Sequence, residues 1–270
     1  MKRGAAAAKI NLALVVGPRR DDGRHELVTV YQRIALSDHI TVEESPTLRV
    51  DGFGGDTLVR RALEAVADGD GGSFAARIRK RIPVAAGLGG GSSDAATALR
   101  LANALRAAPL SSEDLHARAC ALGADVPYFL ADGPQLGTGD GTELTPIELP
   151  QDYWIVLVLP KGAGKRSTAD VYAAFDARRG EQSYGNRRAA LLRGLEGVRR
   201  PRDLAALPAN DLAASPLADE LVGIGAFRAD VSGAGPAVYG LFLHGDQARA
   251  AQRQMSHRGR TWLTAPAWYR

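Results

Sequence analysis

The sequence predicts a protein that combines helices and strands, of α+β or mixed α/β class, in two halves. Runs of Val, Ile and Leu over residues 9–16 and 28–42 are typical of strands. Apolar residues in the segment 98–105 recur at i, i+3, i+4 and i+7, the spacing of one helix face. A turn-rich stretch precedes the continuous apolar run at 153–160, and this change of pattern predicts a boundary after residue 150.

The first half is expected to open with strands and to continue with helices. The polar segment "RRDDGRHE" at 19–26 predicts a turn between the first two strands. Residues 56–68 predict a helix, and 73–84 predict a strand that leads into a glycine-rich stretch. A later helix is predicted for Ser112–Leu122, ended by Gly123.

The second half alternates helical stretches with strands. The run "YWIVLVLP" predicts a buried strand ended by Pro160. The segment "FRADVSGAGPAVYGLFL" at 227–243 predicts a strand, a glycine turn and a second strand. The segment "RRGEQSYGNRR" at 178–188 is expected to form an exposed, mobile loop.

Composition narrows the class of protein. The chain has 270 residues, 45% of them hydrophobic, and Cys120 is its single cysteine, so an internal disulfide is excluded and a cytoplasmic location is expected. The opening "MKRGAAAAKINLALVVG" superficially resembles a signal peptide, but Lys9 and Asn11 interrupt it, so we expect mature sequence and no membrane span. A net charge of +4 suits anionic ligands without requiring nucleic acid.

The stretch "PVAAGLGGGSSDAATALRLANAL" at 83–105 carries glycines immediately before a predicted helix, with Ser92 or Ser93 expected as N-cap. Glycine lets the backbone approach a ligand, and a helix N-terminus favours anions, so phosphate is the expected guest. No lysine lies between Lys80 and Lys161, which excludes a Walker loop, and the dinucleotide pattern also fails. A glycine turn that merely joins strand to helix remains the alternative.

Three other features are ambiguous when each is taken alone. Lys9 starts an apolar strand, where a lysine is usually a solvated strand end. Asp125 follows a helix-ending glycine, where it could be an N-cap for the next turn. Gly233 and Gly235 allow a close backbone approach, but they could also mark a simple hairpin turn.

Taken together and in order, these features resemble a known family. "AKINLAL" at 8–14, "PVAAGLGGGSSDAA" at 83–96, "LGADVPYF" at 122–129 and "SGAGPAVYG" at 232–240 resemble the motifs of the GHMP kinase superfamily. Within it, the chain most resembles the kinases that act on 4-diphosphocytidyl-2-C-methyl-D-erythritol, in the features "AKINL", "DDGRHEL", "GLGGGSSDAA" and "GADVPYF", and "PANDL" at 208–212 adds to them. The resemblance covers most of the chain.

The resemblance implies a fold and a reaction. It implies an α+β, two-domain GHMP kinase fold: residues 1–150 form an N-terminal, ATP-binding domain similar to ribosomal protein S5 domain 2, and 151–270 form a ferredoxin-like GHMP domain, with a deep cleft between them. It also implies that ATP phosphorylates the 2-hydroxyl of the cytidyl substrate, in the non-mevalonate pathway to isoprenoids.

The resemblance also assigns the ATP site and the chemistry. Asp125 would accept the proton of the attacking hydroxyl, and Lys9 would keep Asp125 ionised and stabilise charge on the phosphoryl group. Mg²⁺ would accompany ATP, with no protein ligand assigned. The implied ATP-binding residues are Pro83, Val84, Ala85, Ala86, Gly87, Leu88, Gly89, Gly90, Gly91, Ser92 and Ser93.

The implied substrate site resembles the family less closely. Asn11 shares a strand face with Lys9 and can bond a substrate hydroxyl. His25 matches the residue that holds the cytosine, and Tyr172 aligns with an aromatic expected on one face of the base. Two positions depart from the family: Arg24 replaces a stacking aromatic, and Thr57 replaces an asparagine near the adenine.

Two other functions compete with this interpretation. Another small-molecule GHMP kinase, of the homoserine or mevalonate type, would share the ATP loop, but "DDGRHEL" argues against it. A basic, S5-like nucleic-acid-binding module would explain the pI of about 9.4, but the sequence lacks an aromatic platform and a dense basic run. We therefore expect a small-molecule cytidyl substrate and neither a nucleic acid nor a membrane as partner.

Overall fold

The computed structural model describes residues 1–55, 57–67, 73–162 and 167–267. The chain divides into two compact units that alternate along the sequence. The first unit comprises Met1–Ala8, Leu36–Val84 and Gly89–Asp132, and the second comprises Lys9–Ala35, Ala85–Leu88 and Gly133–Arg270. The units alternate because the first two strands are long and each contributes to both. The predicted division at residue 150 follows the chain instead, and it stays a prediction.

The first unit packs helices on a sheet. The second half of β2 pairs antiparallel with β4, with Ile40 opposite Ile78, and β3 pairs parallel with β4. The elements of this part of the chain are β1 (Lys2–Arg19), β2 (His25–Ser45), β3 (Arg49–Asp51), α1 (Leu58–Val66), β4 (Ser73–Arg79), α2 (Gly90–Asn103), α3 (Ser112–Leu122) and the 3-10 helix η1 (Pro127–Phe129).

Helices α1 and α2 pack against each other because their buried faces are complementary. In α1 the buried residues follow helical spacing, and they are Val59, Ala62, Leu63 and Val66. The buried residues of α2 include four alanines, whose small side chains let the two helix backbones approach closely. The strand predicted for 28–42 and the helix predicted for Ser112–Leu122 are confirmed, whereas the strand predicted for 73–84 is confirmed only over Ser73–Arg79.

The start of α2 differs from the prediction. The helix begins at Gly90, and its N-cap is Gly89, which adopts the left-handed conformation with φ 67°. Neither Ser92 nor Ser93 is the N-cap, so that prediction was wrong. The reason is steric: a left-handed N-cap suits glycine, and the helix then starts early enough to include Gly90 and Gly91 in its first turn.

The second unit contains a four-stranded antiparallel sheet in the order β10-β7-β9-β8. With α6 after β7 and α7 between β9 and β10, this is the ferredoxin-like order of elements, and that prediction is confirmed. The elements are β5 (Gln135–Thr138), β6 (Glu143–Pro146), β7 (Trp154–Pro160), α4 (Thr168–Ala177), α5 (Tyr184–Glu196), the 3-10 helix η2 (Pro201–Ala206), α6 (Pro216–Gly223), β8 (Arg228–Val231), β9 (Val238–Phe242), α7 (Gly245–Met255) and β10 (Gly259–Thr264).

A single apolar core holds this sheet to its helices. Val156 and Phe242 from the strands pack with Leu221 of α6 and Met255 of α7, all buried. At about 25 cal/mol per Å² of apolar surface, side chains of this size each contribute roughly 1.5–3 kcal/mol on burial. The core therefore fixes the strand ends from which the glycine turn between β8 and β9 projects.

Residues 178–188 differ in part from the expected mobile loop, because α5 starts at Tyr184. Arg187 explains the difference. Its guanidinium donates to the carbonyl oxygens of Gly180 at 2.6 Å and Val16 at 3.2 Å, and it pairs with Asp211. The contacts with Val16 and Asp211 are long-range, and local composition does not reveal them. None of the helices in the described ranges combines the length and the apolar character that a membrane crossing requires.

Candidate active site

Lys9 and Asn11 form a buried pair in the second unit. Both lie on β1, and they are 4% and 3% exposed. Lys9 Nζ donates to Asn11 Oδ1 at 2.7 Å, and Asn11 Nδ2 donates to Thr29 Oγ1 at 2.7 Å. Thr29 Oγ1 in turn donates to the Ala13 carbonyl at 2.8 Å. The prediction that Lys9 and Asn11 share a strand face is confirmed, and the chain of bonds fixes the direction of the Asn11 amide.

The glycine turn between β8 and β9 packs directly on this pair. A Cβ atom at Gly233 would lie 3.3 Å from Asn11 Oδ1 and 3.4 Å from both Lys9 Nζ and Gly87 O. Gly233 also has φ 57°, a conformation that disfavours other residues. The turn is therefore more than a hairpin connection, because its backbone covers the Lys9 ammonium.

Residues Ala85–Leu88 join β1 to the glycine turn. The Lys9 N–H donates to Leu88 O at 3.0 Å, and the Ala237 N–H donates to Ala86 O at 3.0 Å. Ser232 Oγ donates to Gly87 O at 2.9 Å, and a Cβ at Gly87 would lie 2.1 Å from Ser232 O. Only glycine fits at position 87. The segment "AAGL" at 85–88 and the segment "SGAG" at 232–235 therefore pack directly against each other.

The "PANDL" segment supports the same turn from behind. Asn210 Nδ2 donates to Gly233 O at 2.7 Å and to Val231 O at 2.9 Å. Asp211 Oδ2 accepts from the Val16 N–H at 2.8 Å. These two side chains tie the turn and β1 together through a third segment, which explains why this motif accompanies the others.

Tyr239 closes the buried side of β1. Its hydroxyl donates to the Asn11 carbonyl at 3.1 Å. Full burial raises the pKa of Tyr239 to about 12, with Asp230 adding to the shift and Arg228 opposing it. The hydroxyl therefore stays protonated at neutral pH and remains a donor to β1.

The glycines of α2 lie in the first unit. No side chain caps the N-terminus of α2, and its first turn carries no acidic residue. Both features suit an anion at this end of the helix. A Cβ at Gly90 would lie 3.0 Å from Ile82 Cγ2, whereas one at Gly91 would meet only Leu58 Cδ1 at 3.6 Å. Ser93 is buried and Val84 is exposed.

Asp125 also belongs to the first unit, in the turn between α3 and η1. It is half-buried. The next residues, Val126 and Tyr128, are fully buried and anchor the turn. Val126 is the N-cap of η1, so Asp125 is not the cap that its position in the sequence allowed.

His25 and Tyr172 come together in the second unit. Their rings stack with centroids 4.8 Å apart and planes 28° from parallel. His25 Nε2 lies 2.6 Å from Asp176 Oδ1, and Phe175 meets the His25 ring edge-on at 5.9 Å. Partial desolvation alone would raise the pKa of Asp176. Hydrogen bonds from His25 and Arg19 outweigh desolvation and lower this pKa below its ordinary value.

Arg24 is held by a different partner. Its exposed guanidinium pairs with Asp140, in the turn between β5 and β6. Asp140 Oδ1 also accepts from Thr142 Oγ1 at 2.7 Å. Partial burial alone would raise the pKa of Asp140. The bonds from Thr142 and Arg24 outweigh burial and lower this pKa. A carboxylate therefore fixes the end of the Arg24 side chain.

Sequence reasoning missed four polar partners, namely Thr29, Asp140, Asp176 and Ser232. Two of them carried a signal. Asp176 lies four residues after Tyr172, on the same helix face, and Thr29 lies four residues after His25, on the same strand face. Ser232 and Asp140 contact residues more than 100 positions away, and no local pattern indicates them.

No three His, Cys, Asp or Glu side chains cluster as a metal cage in the ranges that the structure describes.

Two family descriptions match this chain. The GHMP kinases N terminal domain matches residues 57–133, and the GHMP kinases C terminal description matches residues 212–261. Solved mevalonate kinase and homoserine kinase structures share the fold, with TM-scores of 0.73 and 0.66 at 12% and 14% identity.

More similar relatives carry one name. The chain is 37% identical to the 4-diphosphocytidyl-2-C-methyl-D-erythritol kinase of Syntrophotalea carbinolica, over 96% of this chain and 95% of that protein. It is 38% identical to the kinase of the same name from Prosthecochloris aestuarii, over 93% and 92%. A crystal structure of 4-(cytidine 5'-diphospho)-2C-methyl-D-erythritol kinase superposes with a TM-score of 0.79 at 33% identity, covering 98% of this chain and 100% of that chain.

Identity of this extent over nearly the whole length, together with both matching GHMP domains, shows that the chain belongs to the 4-diphosphocytidyl-2-C-methyl-D-erythritol kinase family of the GHMP kinases.

Proposed function

We propose that this protein transfers the γ-phosphoryl group of ATP to the 2-hydroxyl of 4-diphosphocytidyl-2-C-methyl-D-erythritol, a step toward isoprenoid precursors that does not use mevalonate. The observation that carries the proposal is the buried Lys9–Asn11 pair, packed against the backbone of Gly87 and Gly233. A buried cation beside glycine backbone suits a phosphoryl group, because charge develops on that group during transfer.

Lys9 supplies the positive charge in this proposal. Its ammonium is directed by Asn11, and the side chain is almost entirely removed from water. A fixed cation in a water-poor site stabilises developing charge without reorganising at the moment of reaction. Asn11 positions Lys9 and is proposed to bond a substrate hydroxyl.

Asp125 is the proposed proton acceptor. A tertiary alcohol that attacks phosphorus must lose its proton, and a carboxylate is a suitable base for it. Val126 and Tyr128 hold the turn that carries Asp125, which favours a fixed direction for its side chain.

The phosphates of ATP are proposed to lie against the backbone of the glycine loop, residues 83–93. The uncapped N-terminus of α2 offers N–H groups and the positive end of the helix dipole. Mg²⁺ is proposed to accompany ATP, and when bound it neutralises phosphate charge.

Cytosine is proposed to bind beside His25 and Tyr172. Ionised Asp176 can only accept a hydrogen bond, so the Nε2 atom of His25 donates to it. In a neutral imidazole the Nδ1 atom is then an acceptor, which matches the amino group of cytosine. Arg24 and Tyr172 are the proposed stacking residues, and Thr57 is proposed to lie near the adenine.

The proposal includes a small-molecule partner, with no nucleic acid or membrane involved. A cytoplasmic location is part of the proposal, because a chain with one cysteine suits a reducing compartment. The division into an ATP-binding domain of residues 1–150 and a GHMP domain of 151–270 also remains a proposal.

The test is to incubate the purified protein with MgATP and one acceptor at a time, and to follow ADP and the phosphorylated product. We expect ADP with the cytidyl substrate and none with homoserine or mevalonate. Lys9→Ala and Asp125→Asn proteins serve as matched controls for a contaminating kinase. ADP formed with homoserine or mevalonate, but not with the cytidyl substrate, would overturn the proposal.

A further inference from the structure

Three charged side chains form a buried cluster in the first unit, beside the glycine loop but not among the residues to which the reaction has been assigned. Lys80 follows β4, Asp38 lies on β2 and Asp94 lies on α2. Lys80 Nζ donates to Asp38 Oδ2 at 2.5 Å and to Asp94 Oδ2 at 2.8 Å. The exposed fractions of the three side chains are 17%, 0% and 2% for Lys80, Asp38 and Asp94. We call these residues the Lys80 cluster.

Asp38 connects the cluster to the segment that enters the glycine loop. Its Oδ1 atom accepts from the Ile82 N–H at 2.8 Å and from the Arg81 N–H. The Asp38 carboxylate therefore holds the backbone between β4 and Pro83, while its other oxygen holds Lys80.

Asp94 and Gly90 connect the cluster to the first turns of α2. A Cβ at Gly90 would lie 3.4 Å from Lys80 Nζ and 3.0 Å from Ile82 Cγ2, so these two side chains lie beside the start of the helix. Asp94 is four residues further on, one turn along the same helix face. Lys80 Nζ thus bonds to the second turn of α2 and lies beside its first turn.

The charges of the cluster make it an expensive way to stabilise a fold. Burial alone would lower the pKa of Lys80. The carboxylates of Asp94 and Asp38 outweigh burial and raise this pKa, so Lys80 is cationic. Burial raises the pKa of Asp94 to about 7, with Asp38 adding to the shift and Lys80 opposing it. Replacing a buried ion pair with apolar side chains of similar size is often neutral or stabilising. What the cluster adds is a fixed direction for the side chains and backbone N–H groups that it bonds.

We propose that the Lys80 cluster is a positioning device for ATP, which fixes the backbone of Gly89–Ser93 relative to the segment Arg81–Val84, and that Asp94 is its key positioning residue. The inference rests on the proposed function, because it assumes that ATP phosphates bind the glycine loop. Backbone N–H groups stabilise phosphate only when their directions are fixed in advance. The cluster supplies this preorganisation through its bonds to α2 and to the Arg81 and Ile82 backbone.

The test compares three variants by calorimetric binding of a non-hydrolysable MgATP analogue, without acceptor. Asp94→Ala removes the bond to Lys80, and we expect the Kd for the analogue to rise at least about tenfold. Asp94→Asn keeps an acceptor for Lys80, and we expect it to stay within about threefold of the parent. Asn103→Ala breaks bonds to Leu110 at the other end of the same helix, so it serves as the matched structural control.

Steady-state kinetics provide the second measurement. We expect Asp94→Ala to raise the KM for ATP and to leave the KM for the cytidyl substrate nearly unchanged. Asn103→Ala should lower the melting temperature without changing either constant. If Asp94→Ala and Asn103→Ala lower the melting temperature alike and leave the analogue Kd unchanged, the cluster is only structural and the inference is wrong.

Two further outcomes are separable. If Asp94→Ala does not fold, Lys80→Met is measured in the same way, with Lys80→Arg as the conservative partner that should rescue binding. Equal analogue binding by Lys80→Met and the parent would overturn the inference. If the parent itself binds no MgATP analogue, the proposed function fails instead, and the distinction does not depend on the acceptor.

Discussion

The glycine loop and the His25 region differ in which protein atoms would contact the ligand. In the glycine loop the candidate contacts are backbone N–H groups, and side chains are kept away by glycine at positions 87, 89, 90 and 91. In the His25 region the candidate contacts are two rings and a guanidinium, and a carboxylate from a distant segment holds both the His25 ring and the Arg24 guanidinium. The first region depends on a run of neighbouring residues, and the second depends on pairs that only folding brings together.

This difference has consequences for mutation. A backbone site is expected to fail when a glycine gains a Cβ atom, and to weaken when a side chain that positions the backbone, such as Asp94, is lost. A side-chain site tolerates changes in its neighbours but weakens when either member of a holding pair is lost. Substitution of the catalytic residues Lys9 and Asp125 is expected to have a larger effect than either kind of change, because these side chains act on the transition state itself.

The largest effect is expected at the catalytic residues. Lys9→Ala and Asp125→Asn should each lower kcat by about two to four orders of magnitude, because each removes a charge-stabilising or proton-transfer contribution. Substrate binding should change far less. The double variant should lose much less than the product of the single losses, since residues that act as a unit are non-additive. Near-normal kcat in Asp125→Asn would exclude it as the base.

A smaller effect is expected at the glycine loop. Gly90→Val should raise the Kd for MgATP by about one to two orders of magnitude, because the side chain would meet Ile82 Cγ2 and displace the first turn. Gly185→Ala is the matched control, since a Cβ there meets nothing within 4 Å in the first turn of α5. Unchanged ATP binding in Gly90→Val would place the phosphates elsewhere.

The His25 region should respond through its holding pair. Asp176→Asn should raise the KM for the cytidyl substrate by roughly tenfold and spare the KM for ATP, because the neutral amide no longer fixes the His25 ring as a donor at Nε2. Arg19→Ala removes the other bond to Asp176 and should have a weaker effect. An equal rise in both Michaelis constants would argue against a role confined to the cytidyl substrate.

The smallest kinetic effect is expected at Arg24. A guanidinium that stacks on cytosine is worth on the order of 1 kcal/mol, so Arg24→Ala should raise the KM for the cytidyl substrate several-fold. Asp140→Asn should produce part of this effect, because it frees the guanidinium. Arg24→Tyr should restore binding. If Arg24→Ala changes nothing while Tyr172→Ala weakens binding strongly, only Tyr172 supports the base.

The pH dependence of the free energy of unfolding should depend on Asp94, which directly follows the glycine loop. Its pKa is raised from 3.8 to about 7 in the folded state, so the folded state binds more protons than the unfolded state between these values. The free energy of unfolding should therefore fall as pH rises from about 4 to about 7, by at most about 1.4 kcal/mol per pH unit from this group. Urea titrations of the parent and Asp94→Asn should show a shallower fall in the variant. Parallel curves would contradict the shift.

The elements that the sequence predicted well are those with strong local patterns. The strands at 28–42 and 153–160 and the helix Ser112–Leu122 follow from periodicity and from clear end signals, such as Gly123 and Pro160. The start of α2 was misplaced, because Gly89 adopts the left-handed conformation and is the N-cap in place of a serine. The helix over Tyr184–Glu196 was missed in part, since the distant carbonyl of Val16 holds Arg187.

By itself, the sequence determined the family, the order of the motifs and the residue types that the chemistry requires, because these depend on identity and spacing along the chain. Only the tertiary structure decided which side chains hold them: Thr29 for Asn11, Asp176 for His25, and Asp140 for Arg24. It also decided that Gly233 covers Lys9 and that Lys80 lies beside Gly90. Such contacts join residues that are far apart in sequence, and burial and hydrogen bonding select them only once the chain has folded.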